Sequence, residues 1–326
     1  MNRGVKGLAA FSAALLIIGL VFLMAGAAVG GMNPIAFGED GFEIAFEGLK
    51  GDGGAFSRDF DDFDSIDADL GAYGYDVVLD EGDGFSVVGD FDPRFGPPEI
   101  SVEDGRLVIR DRHGDRGEGR RSGGWMNLVL SGGGAFGWAD YLDRYPRTVT
   151  VTYPKGKLFD SVSVRGAAAR VTLRGLNAKT LEVSCGAGDL RYEGGDAGEV
   201  DVRLSFGNCR VVGVSCGEAR FSLNMGALSA SRFDCGGLRA EVNMGETDVS
   251  GALRGDVRVS AKMGAVAVRT SLPKNEYSYS VRTGMGEASV DGEGVPAGRE
   301  DVKNAEADNH IEIRASMGSA KLNFGG

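Results

Sequence analysis

Phe221-Ser-Leu-Asn-Met-Gly226 recurs as Ala240-Glu-Val-Asn-Met-Gly245, and again as Val259-Ser-Ala-Lys-Met-Gly264. Looser copies occur on both sides of these three, and a fixed period of about 19 residues is typical of repeat architectures. The looser copies are Leu181–Gly186, Val202–Gly207, Val281–Gly286 and Ile313–Gly318, with an earlier one at Val162–Ala167. Aligned on the final glycine, the copies are evenly spaced from Gly207 to Gly264, while the interval before Gly207 and the two after Gly264 are longer.

Apolar and polar residues alternate within each copy, as in Phe221, Ser222 and Leu223. This period of two predicts short strands with one buried face. Two short strands cannot bury their own apolar face, but repeats stacked in register can. The sequence therefore predicts an all-β fold, a single-stranded parallel β-solenoid with about 19–21 residues per coil. We expect a right-handed coil, because parallel crossovers are nearly always right-handed.

Five of the nine methionines share one position of the repeat, directly before the glycine. They are Met225, Met244, Met263, Met285 and Met317, and the alignment places Cys185 and Phe206 in the same column. A ladder of thioethers is a suitable ligand set for Cu(I). Because Met also fills irregular gaps in cores, we interpret the column as packing at a tight inward corner. We therefore predict no metal site and no cofactor.

The four cysteines are interpreted as structural, reduced thiols. Cys185 and Cys209 fall in inward columns of the repeat. Cys216 and Cys235 are one repeat apart, so stacking would place their α-carbons about 4.8 Å from each other. That distance allows a disulfide, although parallel Cβ vectors suit the S–S dihedral angle poorly. A Cys216–Cys235 disulfide is the open alternative.

The front of the chain follows the alternation less regularly. We interpret residues 56–110 as the opening coils of a solenoid domain that spans 56–326, with 30–55 as a tether or cap. Residues 111–146 depart from the repeat and are interpreted as an insertion that holds both tryptophans. Trp and Tyr dominate the binding energy of many interfaces. The candidate partner-contact residues of this insertion are Trp125, Trp138, Tyr141 and Tyr145.

The N-terminus has the features of a membrane anchor. Residues 8–29 carry no charge and would extend roughly 33 Å as a helix, enough to cross a hydrocarbon core of about 30 Å. Arg3 and Lys6 favour a cytoplasmic N-terminus, residues 1–7, and an extracytoplasmic remainder. A cleaved signal peptide is the alternative, because Ala25-Gly-Ala27 resembles a cleavage site. We predict a single-pass protein of the cell membrane.

The charge distribution excludes some partners. A net charge of −12 argues against binding to nucleic acid, which requires a concentrated basic surface. Between Glu39 and Asp111 there are 21 acidic residues against 5 basic ones. We interpret this part as a solvated acidic face, since its aspartates lack the spacing of an EF-hand calcium loop.

Arg220, Arg239 and Arg258 form an outward column at the spacing of the repeat. Stacked guanidinium groups repel one another, and a bound anionic polymer would explain why they are tolerated. The simpler interpretation is lateral neutralisation by Glu218 and Glu241. We include the three arginines among the candidate partner-contact residues.

Several motifs resemble one known family. They are Ile66-Asp-Ala-Asp-Leu-Gly71, Glu103-Asp-Gly-Arg-Leu-Val-Ile109, Thr148-Val-Thr-Val-Thr-Tyr-Pro154 and the recurring Met-Gly turns. Over roughly residues 56–326 they resemble the bacterial "putative adhesin" domain of unknown function. The resemblance implies a Gly-rich β-solenoid on a membrane-anchored envelope protein, with a role in adhesion or in envelope stress. It brings no established active site.

These observations favour a non-catalytic surface that binds an unknown envelope protein or an anionic polymer. A filament is the alternative: Leu322-Asn-Phe-Gly-Gly326 ends the chain after the last coil and would leave an uncapped β edge for a homo-oligomer by end stacking. A polysaccharide-active enzyme is less favoured, because most coils lack long loops and a convergent pair of carboxylates.

Overall fold

A computed structural model of the chain describes residues 35–38, 41–44, 54–71, 74–91, 96–111 and 147–325. The chain divides into two compact units, and the second contains residues 51–117 and 142–326. Of the first unit, the structure describes one antiparallel hairpin, β1 (Ile35–Gly38) with β2 (Gly41–Ile44). The predicted membrane anchor and residues 112–146 of the predicted insertion lie outside the described residues. None of the helices in the described ranges has the length and apolar character that a bilayer span requires.

The second unit consists almost entirely of strands, 24 of them within the described residues. The first are β3 (Gly54–Phe60), β4 (Ser65–Asp69), β5 (Tyr75–Gly82), β6 (Phe85–Phe91), β7 (Glu99–Glu103), β8 (Arg106–Arg110) and β9 (Thr148–Pro154). The regular repeat follows, with β10 (Leu158–Arg174), β11 (Asn177–Ala187), β12 (Leu190–Glu193), β13 (Asp196–Phe206), β14 (Cys209–Val212), β15 (Ser215–Met225), β16 (Leu228–Ser231), β17 (Asp234–Met244), β18 (Thr247–Gly251), β19 (Asp256–Met263) and β20 (Val266–Thr270). The last are β21 (Tyr277–Met285), β22 (Ala288–Val290), β23 (Glu293–Gly294), β24 (Arg299–Val302), β25 (Asn309–Met317) and β26 (Ala320–Phe324). Two 3-10 turns, Lys274–Glu276 and Pro296–Gly298, lie in connections.

These strands form two sheets, which we call the front sheet and the back sheet. The front sheet has the order β7-β8-β4-β10-β11-β13-β15-β17-β19-β25-β21-β24. The back sheet has the order β3-β6-β9-β5-β10-β12-β14-β16-β18-β20-β26-β22-β23. Neighbours are parallel except at the ends of each sheet. The predicted all-β, parallel repeat architecture is confirmed.

Successive coils of the repeat pair in register, one period apart. Val183 lies opposite Val202, and Val202 lies opposite Phe221. Side chains that point inward are buried in one continuous apolar core between the sheets. Buried tyrosine hydroxyls donate to backbone carbonyls at turns, as Tyr192 does to Leu176 at 2.8 Å, so their polar ends are satisfied within the core.

The predicted alignment of Gly186 with Gly207 is wrong. In the structure Ala187 lies opposite Phe206, so Gly188 is the neighbour of Gly207 and this coil has the same length as the coils that follow it. A slip of two residues leaves each side chain on the same face of a strand. The predicted buried face of this strand was therefore right although the alignment was not.

From Gly207 onward, the glycine that ends a copy occupies a corner where two coils touch. Gly226, Gly245 and Gly264 have φ between 138° and 141°, a range that disfavours residues with a Cβ atom. A Cβ atom on Gly245 would lie 1.8 Å from the carbonyl oxygen of Gly226. Backbone N–H groups of these glycines donate to carbonyl oxygens of the next coil, as Gly226 does to the carbonyl oxygen of Met244 at 3.0 Å. Glycine is therefore required here by close backbone approach.

The coils at the C-terminal end do not stack in chain order. The final strands, β25 and β26, lie between β19 and β21 and between β20 and β22. The expectation of an uncapped edge at residues 322–326 is therefore wrong, because both edges of β26 are paired. The outermost coil is instead β21 with β22, and the antiparallel strands β24 and β23 cover it.

The N-terminal end shows the same departure from chain order. The coil formed by β4 and β5 lies between β10 and the outer coil of β8 and β9. The predicted insertion leaves this outer coil between β8 and β9. Asp111, its first residue, and Arg147, the residue that follows it, are both buried.

Lys274 fastens the coil that inserts at the C-terminal end. It lies in the connection from β20 to β21, and its Nζ donates to the Asp291 carboxylate at 2.9 Å. This hydrogen bond raises the pKa of the lysine. The same Nζ lies 5.7 Å from the ring centroid of Phe324 in β26 and 5.5 Å from that of Tyr279. One cation thus contacts both the inserted coil and the outer coil.

We expect Gly245→Ala to destabilise the fold far more than Gly213→Ala. Gly213 also has a positive φ, 64°, but an added Cβ atom would meet nothing within 4 Å, so its cost is about 1–2 kcal/mol. At Gly245 the added atom would collide with backbone, which predicts a loss above about 4 kcal/mol. Urea unfolding followed by circular dichroism measures both values. Equal losses would contradict the close-approach argument.

We expect Ile313→Ala to loosen two coils that are not neighbours in the chain. Ile313 is buried between Val259 and Val281, and its truncation should cost about 2–5 kcal/mol. Hydrogen exchange should accelerate in both β19 and β21, whereas stacking in chain order would leave β19 protected. The exposed Arg314→Ala, on the same strand, is the control and should change stability by less than about 1 kcal/mol.

Candidate interaction surfaces

The front sheet brings the three predicted arginines together. Arg220 lies opposite Arg239, and Arg239 lies opposite Arg258, on the adjacent strands β15, β17 and β19. All three side chains are exposed. The other predicted contact residues, Trp125, Trp138, Tyr141 and Tyr145, lie outside the described residues. A role of any of the seven in binding stays a prediction.

Carboxylates neutralise each arginine of this column. Arg220 pairs with Glu199 at 3.1 Å and with Glu218 at 3.5 Å. Arg239 donates to Glu241 at 2.6 Å through one nitrogen and at 2.9 Å through another. The predicted neutralisation by Glu218 and Glu241 is confirmed.

Arg258 extends this pairing beyond what the sequence predicted. It lies 2.6 Å from Asp256 and 3.9 Å from Glu312, which belongs to the inserted strand β25. Exposed pairs of this kind contribute at most about 1 kcal/mol each. The outer face of the front sheet therefore presents each arginine of the column beside a carboxylate, so the column carries no surplus of positive charge.

Carboxylates of the acidic segment between Glu39 and Asp111 form ion pairs with basic residues of neighbouring coils. Asp67 accepts hydrogen bonds from Arg110 and Arg165, both at 2.7 Å. Lys157 donates to Asp62 at 2.8 Å and to Asp64 at 2.7 Å. Within the described ranges, no group of three or more His, Cys, Asp or Glu side chains is placed to hold a metal ion. Several carboxylates of the predicted acidic face thus serve as ion-pair partners.

A shallow concavity of about 400 Å³ lies on the front sheet near its N-terminal end. Its wall includes Asp67, Glu103, Arg106 and Arg110. Asp67 is engaged by two arginines, and Glu103 accepts a hydrogen bond from Ser101 at 2.8 Å. The wall thus combines one ion-paired carboxylate with other charged side chains, an arrangement suited to polar contacts.

The cysteines are four free thiols in the structure. Cys216 lies opposite Cys235, as the repeat predicts, while Cys185 and Cys209 are buried. Burial raises the pKa of Cys185, Cys216 and Cys235 to about 12. A thiol with this pKa is almost entirely protonated at neutral pH and is a poor nucleophile.

The methionine column does not point inward. Cys185 lies opposite Leu204 and so belongs to a buried column, while Ala187 occupies the position that lines up with Phe206 and the methionines. Met225 is half-buried, and the four others are exposed by 37–65%. The prediction of inward packing is wrong, because this position lies at the corner where the chain leaves the front sheet. There the alternation of a flat strand no longer decides the direction of a side chain.

One family model and several solved structures match this chain. Residues 119–323 match a family described as Toastrack DUF4097. A "putative adhesin" from Bacteroides fragilis is 9% identical, covering 83% of this chain and 97% of its own, with a TM-score of 0.37. "Putative adhesins" from Parabacteroides distasonis and Parabacteroides merdae are 11% and 14% identical, covering 84% and 85% of this chain and 98% and 95% of theirs, with TM-scores of 0.40 and 0.33. No curated protein matches the sequence.

We expect the thiols of the native protein to react at least about tenfold more slowly at pH 8 than those of the unfolded chain, because burial raises the pKa of Cys185, Cys216 and Cys235 to about 12 and so lowers the fraction of thiolate. The half-buried Cys216 should react first. Its rate should keep rising between pH 9 and pH 10, where an ordinary thiol levels off. Labelling with a chromogenic disulfide, native and in guanidinium, measures this. Native labelling at the unfolded rate would contradict it.

Proposed function

The chain belongs to the Toastrack DUF4097 family, and on that premise we propose that it is a non-catalytic binding surface held at the cell membrane. Residues 8–29 anchor the chain in the membrane, and the β-solenoid of residues 56–326 lies outside the cytoplasm. Its role is of the adhesion type or is associated with envelope stress. In either role the solenoid presents a fixed outer face to a partner.

The observation that supports this proposal is the set of charged side chains, Arg220, Arg239, Arg258 and their carboxylates, on the outer face of the front sheet. We call this set the charged ladder. The parallel strands of the front sheet, from β8 to β21, are held in register by continuous backbone pairing. Their outward side chains therefore recur at a fixed spacing of about 4.8 Å. Repeat proteins use extended surfaces of this kind for binding.

The pairing of the arginines favours one class of partner. Arg220, Arg239 and Arg258 each have a carboxylate within 3.5 Å. A polyanion would have to displace these carboxylates, and they would repel it. A protein surface of alternating charge can join both sets of ions without displacing either. We therefore favour an envelope protein over an anionic polymer as the partner.

We expect a triple variant, Arg220→Glu with Arg239→Glu and Arg258→Glu, to recover at least tenfold less crosslinked partner than the natural chain. The reversed charges would face carboxylates of the same ladder and abolish complementarity with the partner. The experiment uses full-length protein crosslinked in the cells that produce it. Quantitative mass spectrometry measures each co-purified protein.

Arg191→Glu is the matched control, because Arg191 is exposed on the back sheet and pairs with Glu193 at 2.5 Å. Thermal melting confirms that both variants fold. Equal recovery from the triple variant and the control would overturn the front sheet as the binding face. Deletion of residues 112–146 in the same assay tests the contribution of Trp125 and Trp138.

A further inference from the structure

Five methionines stand in one unbroken row at the corner between the two sheets. Met225 lies opposite Met244, Met244 opposite Met263, Met263 opposite Met317, and Met317 opposite Met285. We call this set the methionine column. Its members come from the strands β15, β17, β19, β25 and β21, which are neighbours in the front sheet.

Exposure sets this column apart from the rest of the surface. Met244, Met263 and Met317 are exposed by 37%, 41% and 42%, and Met285 by 65%. Among the described residues, seven large apolar side chains are exposed, and four of them are these methionines. Filling a gap in the core therefore cannot explain why Met recurs at this position.

The backbone under the column is rigid. Each methionine precedes a corner glycine, and the glycines touch one another: a Cβ atom on Gly264 would lie 1.7 Å from the carbonyl oxygen of Gly245. Backbone hydrogen bonds join the coils at this point. Gly245 N–H donates to the carbonyl oxygen of Met263 at 2.9 Å, and Gly264 N–H donates to the carbonyl oxygen of Met317 at 2.8 Å. The α-carbons of the column are thus fixed, while the side chains stay adjustable.

The chemistry of thioethers narrows the choice of metal ion that this column could bind. Met sulfur is a soft donor that selects Cu(I) over hard cations such as Mg²⁺ and Ca²⁺. It also carries no proton to lose, so its binding of metal does not compete with protons. Three sulfurs on adjacent strands start from α-carbons about 4.8 Å apart. Because Met is unbranched and has three rotatable bonds, the side chains can converge on one ion.

We propose that Met244, Met263 and Met317 form a binding site for a soft monovalent cation, Cu(I) or Ag(I). These are the three central members of the column, with similar exposure. Met225 and Met285 flank them on the same edge and extend the row of sulfurs in both directions. The site depends on the insertion of the C-terminal coil next to β19, which places Met317 beside Met263. In the chain, the strands β20 to β24 separate these two methionines.

The cysteines are the competing soft ligands in this chain. Three of the four are buried, and Cys216 is half-buried and lies opposite Cys235. Burial holds their pKa near 12 or above. Metal must displace a proton to bind a thiol, so low pH weakens binding to cysteine and leaves binding to thioethers intact. The pH dependence of metal binding therefore distinguishes a cysteine site from a methionine site.

The test uses the full-length protein with Met244→Leu, Met263→Leu and Met317→Leu combined. Leucine keeps the apolar bulk and removes the sulfur. Cu(I) affinity is measured anaerobically by competition with a chromogenic chelator, at pH 7 and pH 5. Cys216→Ser controls for the thiols, and Met126→Leu controls for a methionine outside the column. Carbon-13 methyl spectra of Met, recorded during titration with Ag(I), show which methionines bind.

We expect the triple variant to bind Cu(I) at least tenfold more weakly at both pH values, while both controls keep the affinity of the natural chain. Ag(I) should shift the methyl signals of Met244, Met263 and Met317 together, at one ion per chain. The proposal is overturned if the triple variant binds as the natural chain does. It is equally overturned if Cys216→Ser removes the binding, or if Ag(I) leaves the three methyl signals in place.

Discussion

The regular repeat depends on the contact between successive glycines at one corner of its coils. There the backbone of one coil lies against the backbone of the next so closely that a Cβ atom on Gly245 would fall 1.8 Å from the Gly226 carbonyl oxygen. At this spacing the amides of the corner donate hydrogen bonds to carbonyl oxygens of the next coil. The corner thereby fixes the register of both sheets, and the fixed register stacks each side chain on its equivalent in the neighbouring coil.

Stacking has opposite consequences inside and outside the solenoid. Inside, columns of apolar side chains form a continuous core whose members are almost fully buried. Outside, it stacks like charges, as in Arg220, Arg239 and Arg258, and the fold tolerates this because carboxylates of the same ladder neutralise each one. At the corner, stacking aligns the sulfurs of the methionine column, which belong neither to the core nor to the charged face. The proposed partner surface and the proposed soft-metal site are thus two products of one register.

The two ends show how an open stack of strands is closed. At each end the chain passes to the outermost position before it returns, and short antiparallel strands cover the outer coils. The edge strand β24 carries Arg299, Glu300 and Asp301, and charged edges oppose pairing with another sheet. Ser280, Arg299 and Arg282 donate hydrogen bonds to Asp301 and hold its pKa well below the ordinary value. The edge therefore stays charged at neutral pH, which favours a surface-binding role over growth into a filament.

The sequence alone determined the strand content, the period of the parallel repeat and nearly every buried side chain, because alternation and period are local properties that survive a slip such as that at Gly186. It also placed Arg220, Arg239 and Arg258 in one column, with Glu218 and Glu241 as partners of the first two. It could not determine the direction of Met244 and Met263, because at a corner the backbone turns and alternation stops deciding the face. The order of the terminal coils was likewise decided by tertiary structure: strands of the same pattern fit equally well at any position of the stack, and only long-range packing sets Met317 beside Met263.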